Sequence, residues 1–474
     1  MQDKDGPELT LSVYDELLAL VNLAIPSFVY FMSFFALSTI ELVMAGHLGT
    51  AEMTAVAFCQ IIFDFTIIVF TEGFTKGVHS LASQAFGAKN YMLLGRYAQL
   101  GCFMLTIVCL PLGCFWWFVG DFLKMFGVAA TTIHLAQTYT RLSVMWLWPR
   151  ITYQLFVVYF AAQENVLPSS IFSLVFVGVN AVANYVLVFG ISSWRGLGFV
   201  GMPIAMTITM YGRLVTYLVY MMFIKQHHAL TWVWSYDFLD MTNLKVIFHV
   251  GLPLALGQIC ENAQLQSMAL MASRVGEVAL DAHNSMLYLF LLLSSPVSGM
   301  ATGGIVRIGI HLGAGQARRA KFVWKLLSWS NFVIASVLAI PLLLARNDVG
   351  HIFSVDPLVW SAMSEICTLA AVGYVLLSLF YSSMTTLIAQ ARGVPLLIAF
   401  FCGAWLVGVP TAYLLGLKAK MGLLGIWIGM SAGYGVTTAI AFYGCVITDW
   451  KGEANRAIER SKDRDVPDEA EPFL

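Results

Sequence analysis

Long apolar stretches, broken by short clusters rich in Gly, Asp and Pro, follow one another along nearly the whole chain. A helix needs about 20 apolar residues to cross the hydrocarbon core of a bilayer, and a longer stretch is accommodated by tilt. Twelve stretches meet this length: 17–45, 54–85, 93–119, 131–162, 168–191, 200–224, 245–273, 280–312, 320–345, 357–390, 394–416 and 421–448. The pattern predicts an all-α integral membrane fold of twelve transmembrane helices.

The same pattern repeats once, at an offset of about 227 residues. Residues 26–57, from Pro26 through AGHLGTAEMTAVA, lie over 253–284, from Pro253 through ASRVGEVALDAHN, with Gly49 opposite Gly276 and Ala55 opposite Ala282. FGAKN (86–90) falls over LGAGQ (312–316), and GISSWRGLGFVG (190–201) over GLKAKMGLLG (416–425). Three matches in one order imply duplication of a six-helix unit, as in secondary transporters. Because six is even, the halves share an orientation, which predicts pseudo-two-fold symmetry along the membrane normal and a cavity between two lobes. The expected division is a cytoplasmic N-terminal segment (1–15), an N-terminal lobe (16–224), a cytoplasmic linker containing Trp232 and Trp234 (225–244), a C-terminal lobe (245–448) and a cytoplasmic tail (449–474). The tail, charged and poor in apolar residues, reads as helical or disordered.

Composition narrows the class further. Hydrophobic residues make up 59% and charged residues 11%, against about 25% charged in soluble chains. The net charge of −1 and the scattered cations give no basic face for nucleic acid. The eight cysteines show neither metal-ligand spacing nor a loop disulfide pattern, and read as small buried apolar residues. With both termini inside, the cytoplasmic loops and tails hold roughly fifteen basic residues and the opposite side roughly six, which predicts cytoplasmic termini. MQDKDGPE at the start has no basic n-region, so the first long helix is expected to serve as the insertion signal.

Seven segments carry a resemblance: VMAGHLG (43–49), SQAFGAKN (83–90), AAQENVLP (161–168), NAVANYVLVFG (180–190), GLPLALGQICEN (251–262), IHLGAGQARRA (310–320) and GVPTAYLLG (408–416). In this order and spacing the chain resembles the multidrug and toxic compound extrusion (MATE) transporters over almost all of residues 15–450. The resemblance implies cation-coupled efflux of organic compounds, often cationic and aromatic, by alternating access.

A charged group inside a bilayer costs at least about 2.5–3.5 kcal/mol, so each one asks for a partner or a function. Glu261, eight residues after Pro253, stands where the resemblance implies the acidic coupling residue of the C-terminal lobe. A carboxyl desolvated in an apolar cavity holds its proton more tightly, which suits a proton carrier. The alternative is a structural hydrogen bond to a neighbouring helix, with Asn262 or Gln264 contributing. The family commonly adds an aspartate eleven residues before the arginine of an RG turn, but counting back from Arg392 reaches Tyr381. That departure weakens a sodium site in this lobe, since a hard cation prefers several oxygens, preferably anionic. Tyr381, Ser382 and Ser383 remain candidates to bond substrate or Glu261.

In the N-terminal lobe, Glu41 occupies the place of an aspartate of many prokaryotic members, six residues before His47, and Asn184 the place of a second. Asn180 lies one helical turn from Asn184, and Gln154 is expected to complete this cation or proton site. A purely structural polar network is the alternative. Glu72 and Lys76, four apart, can pair on one helix face, with Asp64 on the same face. Arg150, Arg213 and Arg307 have no partner assignable from sequence; Glu41, Asp64 or Glu164 would have to neutralise any that line the cavity, and Arg307 is expected to snorkel at the cytoplasmic end of its span. MWLW (145–148) and MM (221–222) either line a promiscuous pocket or pack between helices. His227 and His228 read as a solvated loop.

These readings predict a proton-coupled antiporter for organic compounds, with no cofactor beyond H+, acting as a monomer in the plasma membrane or an internal, vacuolar-type membrane. Sodium coupling through Glu41, Asn180 and Asn184 is the near alternative. A lipid-linked precursor flippase of related architecture is a second, though such proteins tend to have more spans and a strongly cationic cavity. No HExxH, DDxxD-like or nucleophile-elbow motif suggests an enzyme, and no filter-like segment a channel.

Overall fold

The computed structural model describes residues 13–125, 129–232 and 236–462. Residues 1–12, Trp234 of the expected linker, and 463–474 with Arg464 of the expected tail lie outside the described residues.

Among the described residues twelve long helices follow one another: α1 (Val13–Leu48), α2 (Thr50–Gly87), α3 (Tyr91–Trp117), α4 (Ala130–Ala161), α5 (Leu167–Phe189), α6 (Gly198–Ile224), α7 (Met241–Val275), α8 (Glu277–Gly313), α9 (Ala317–Leu344), α10 (Pro357–Ala389), α11 (Gly393–Lys418) and α12 (Gly422–Val446). Each matches a predicted span to within four residues at either end. Eleven are long and apolar enough to cross a membrane by composition alone; α4 is long enough but more polar. Several of its polar residues face protein: Thr140, Ser143 and Thr152 are buried, and Arg150 and Gln154 are bonded to other helices. The protein is therefore a twelve-helix, multi-pass integral membrane protein.

Helix ends follow local chemistry. Asp240 caps α7, its carboxylate accepting the backbone N–H of Thr242 at 2.8 Å and of Asn243 at 3.3 Å. The Thr242 N–H holds the Asp240 carboxyl below its ordinary range. Asp356 caps α10 by accepting the Leu358 N–H at 2.9 Å, with Pro357 at the first helical position. α2, α6 and α11 each contain π-helical turns, at Ile68–Glu72, Val219–Ile224, Phe401–Gly408 and Tyr413–Lys418.

By internal contact the chain forms two compact units. One comprises residues 26–82 and 91–263; the other comprises 1–25, 83–90 and 264–474. Within the first, α3 packs on α4, α4 on α6, α5 on α6 and α2 on α4. The second shows the same scheme, with α9 on α10, α10 on α12, α11 on α12 and α8 on α10. Backbone angles at matched positions agree as well. Gly49 (φ 162°, ψ 167°) separates α1 from α2 as Gly276 (φ 152°, ψ 168°) separates α7 from α8. Glu164 (φ 63°) and Ala391 (φ 58°) take the same left-handed turn after α4 and α10. The duplication read from sequence is thus repeated in the packing.

Beyond α12, helix α13 (Trp450–Ser461) packs on α8 and α9. Glu453, buried, accepts from Arg456 at 2.7 Å and lies 3.6 Å from Arg392 Nε, while Asn90 donates to the Ser461 carbonyl at 2.9 Å.

Candidate functional site

The first unit holds most of the polar groups within the spans. Glu41 on α1 is 3% exposed and accepts a hydrogen bond from the Tyr139 hydroxyl of α4 at 2.7 Å. It lines a small cavity of about 20 Å³ with Ser38, Gln60, Asp64, Trp146, Arg150 and Met210, room for about one water. Gln60 donates to the Ser38 carbonyl at 2.9 Å, which fixes its amide within this cavity. Arg150 lies over the Phe34 ring at 4.0 Å and reaches the Asp64 carboxylate at 3.4 Å. A guanidinium therefore occupies the wall of the pocket where the sequence suggests a bound cation. Trp146 of the MWLW stretch is buried here against Phe63 and Trp116, both at 5.2 Å.

Asn180 and Asn184, both fully buried, bond to each other at 3.0 Å, and Asn180 donates to Thr209 of α6 at 3.0 Å. Neither is hydrogen-bonded to Glu41, whose partners are on α2 and α4. Gln154 also lies elsewhere, donating to Glu72 at 3.3 Å. The four residues proposed from sequence as one N-lobe group thus fall into three neighbouring sets.

Gln154 instead begins a chain of polar contacts. Glu72 pairs with Lys76 at 3.1 Å, as their spacing predicts. Asp64 does not join them, pairing with Arg150 because its position precedes the π-helical turn at Ile68–Glu72, which rotates the helix face. The Lys76 ammonium donates to Oε1 of Gln258 on α7, and the Gln258 amide donates to Glu261 at 2.7 Å. Asn262 donates to the Gln258 backbone carbonyl at 2.9 Å. This reach across helices depends on close backbones. A side chain at Gly73 would collide with the Ala255 backbone, and Gly77 lies against Gly251, so two small-xxx-small pairs cross face to face.

In the second unit, Gln264 is 1% exposed, with its amide nitrogen beside Gly408 and Gly433 and bonded to no acceptor. Tyr381 packs against Phe380, ring centroids 6.1 Å apart. Ser383 donates to the Leu379 carbonyl of its own helix at 2.9 Å, and Ser382 accepts from Asn331 at 2.9 Å. Arg307 makes a two-pronged contact with Glu16, at 2.9 Å from Nη2 and 3.1 Å from Nε, and His311 reaches the same carboxylate at 3.0 Å. The expected snorkelling of Arg307 is replaced by this internal ion pair. Sequence reasoning left out Glu16, His311, Gln258, Gln60 and Tyr139. Only Gln258 carried a local signal, standing one turn before Glu261.

Arg213 differs from Arg150 and Arg307. It is 1% exposed, lies over the Tyr153 ring at 4.2 Å, and contacts the Met210 sulfur at 3.1 Å. Among the described residues no carboxylate pairs with it. A desolvated cation–π contact contributes about 2 kcal/mol, against a penalty of several kcal/mol for a buried unpaired ion.

The MatE family model matches residues 26–186 and again 253–414, so its second match starts 227 residues after the first, at the offset of the internal repeat. The chain belongs to the MatE family of multidrug and toxic compound extrusion transporters. Among curated MATE relatives, "Multidrug and toxin extrusion protein 1" of Homo sapiens is 27% identical over 96% of this chain and 80% of its own length. "Protein DETOXIFICATION 14" of Arabidopsis thaliana is 26% identical over 90% of this chain and 87% of its own. The crystal structure of the eukaryotic MATE transporter AtDTX14 superposes with a TM-score of 0.88 at 24% identity, covering 95% of this chain and all of that one. A transporter from Pyrococcus furiosus, described as having a binding pocket of reverse polarity, superposes with a TM-score of 0.82 at 19% identity, over 94% of this chain and 96% of that one. These likenesses show the MATE fold for the whole length of α1–α12.

Proposed function

We propose that this MATE-family protein is a secondary active antiporter, exporting organic compounds in exchange for protons by alternating access, with Glu261 as the proton carrier. The observation that carries the reading is the chain from Glu72 through Lys76 and Gln258 to Glu261. The ionised Glu261 accepts the Gln258 amide, whose oxygen is in turn oriented by the Lys76 ammonium. Protonation removes half of that complementarity and loosens the tie between α2 and α7. An ion couples transport only by favouring one of two conformations, and this contact supplies such a difference. The names of the curated relatives, multidrug and toxin extrusion proteins, support export of small organic molecules. The same reading has both termini in the cytoplasm, a monomer as the working unit, H+ as the only coupling species, and the plasma membrane or a vacuolar-type membrane as its place.

The test is efflux of a fluorescent organic cation from proteoliposomes under an imposed pH gradient or an imposed sodium gradient, with the intact chain and Glu261→Gln. Proton-driven efflux lost in Glu261→Gln is the expected result. Efflux driven by sodium alone and indifferent to the substitution overturns it, and moves coupling to Glu41, Asn180 and Asn184.

A further inference from the structure

We propose that Arg213 is the recognition point for an anionic group, a carboxylate borne by an aromatic compound that this protein transports. The proposal rests on the export reading and specifies a substrate class for it.

Arg150, Arg213 and Arg307 are three of the arginines within the helices, and their surroundings divide them. Arg307 has a two-pronged carboxylate, Glu16. Arg150 has Asp64. Arg213 has an aromatic face and a thioether, neither of which carries a negative charge. Four carboxylates of its own unit are committed elsewhere: Glu72 to Lys76 and Gln154, Asp64 to Arg150, Glu41 to Tyr139, and Glu261 to Gln258. The Arg213 Nε–H and the hydroxyl of Tyr217, one turn along the same helix, are both buried and both without an acceptor. Arg150 Nε is in the same condition. The Tyr153 hydroxyl does not relieve Arg213, being engaged with Ser169 and Ser173 at 3.0 and 3.1 Å.

The unmet demand is therefore for a negatively charged acceptor. Its surroundings specify more than charge. The Tyr153 ring lies 5.1 Å from that of Tyr217 and 6.3 Å from that of Tyr30. Tyr30 is one turn from Phe34, the ring beneath Arg150. A guanidinium presents its donors in a planar fork matched to a carboxylate, and flat rings beside it suit an aromatic body. A halide shares the anionic charge but uses neither the fork nor the rings.

The experiment uses the full chain in proteoliposomes under an imposed pH gradient, following efflux of 4-hydroxybenzoate and, separately, of tetraethylammonium. Arg213→Gln is expected to raise KM for the carboxylate by about tenfold or more, the equivalent of about 1.4 kcal/mol, while tetraethylammonium efflux stays within about twofold. Tyr217→Phe, which removes a donor and no charge, is expected to raise the carboxylate KM several-fold, and it carries the test should Arg213→Gln fail to fold. An unchanged carboxylate KM in Tyr217→Phe or in a folded Arg213→Gln overturns the proposal. Replacing the salt anion tests the other source: chloride that competes with 4-hydroxybenzoate at equal concentration, without discrimination, also overturns the carboxylate assignment. Calorimetric titration of 4-hydroxybenzoate into the purified chain separates the two readings. Binding lost in Arg213→Gln without any transport upholds the site and sinks the export reading, whereas cation transport without carboxylate binding sinks the site alone.

Discussion

Gln258 is the residue through which α2 reaches the acidic group of α7. Its oxygen accepts from Lys76 and its nitrogen donates to Glu261, so one amide serves two ionisable groups of opposite sign. Leucine at this position keeps the volume and removes both bonds. Gln258→Leu is expected to slow proton-driven efflux by about tenfold, a loss of about 1.4 kcal/mol in the barrier, with folding retained on size-exclusion chromatography. Efflux at the unaltered rate would show that Glu261 works without this bridge. Glu261 and the Glu72–Lys76 pair were both legible as residues, because one is a charge inside an apolar run and the other a pair at helical spacing. Gln154 was legible as polar but not as a partner of Glu72, since the direction of a side chain on α4 is set by how α4 packs on α2.

Helices were the most readable level, and the reason is the bilayer: an apolar run of spanning length has no other way to satisfy its backbone. The contacts between helices were less readable, because they depend on which glycines meet a neighbour. Gly73 and Gly178 both sit in long helices, yet a side chain at Gly73 would strike the Ala255 backbone while one at Gly178 meets nothing within 4 Å. Gly73→Ala is therefore expected to destabilise by about 1–3 kcal/mol through overpacking. Gly178→Ala is expected to be neutral or to stabilise by up to about 1 kcal/mol through helix propensity. Thermal unfolding of the purified protein in one detergent compares them, and equal shifts in Tm would contradict the α2–α7 crossing.

At the scale of the molecule, the repeat at an offset of 227 reappears as a repeated packing scheme, matched turns at Glu164 and Ala391, and a family match that occurs twice. The tail helix α13 stands outside this repeat. It is held by Glu453, buried between Arg392 and Arg456. Glu453→Ala is expected to cost about 1–3 kcal/mol, the loss of a buried charged acceptor. It should raise amide hydrogen exchange in α13 while α8 and α9 stay protected; unchanged exchange would mean that Asn90 and the apolar contacts suffice. The amino-acid sequence by itself determined the membrane class, the twelve spans, their duplication and the family, because each follows from local length, polarity and spacing. Only the tertiary structure decided the partners of the intramembrane charges: Glu16 for Arg307, Asp64 for Arg150, Gln258 between Lys76 and Glu261, and no carboxylate among the described residues for Arg213. Those pairings join residues up to 291 positions apart, and in a low-dielectric interior they depend on contacts of a few ångströms that no periodicity along the chain encodes.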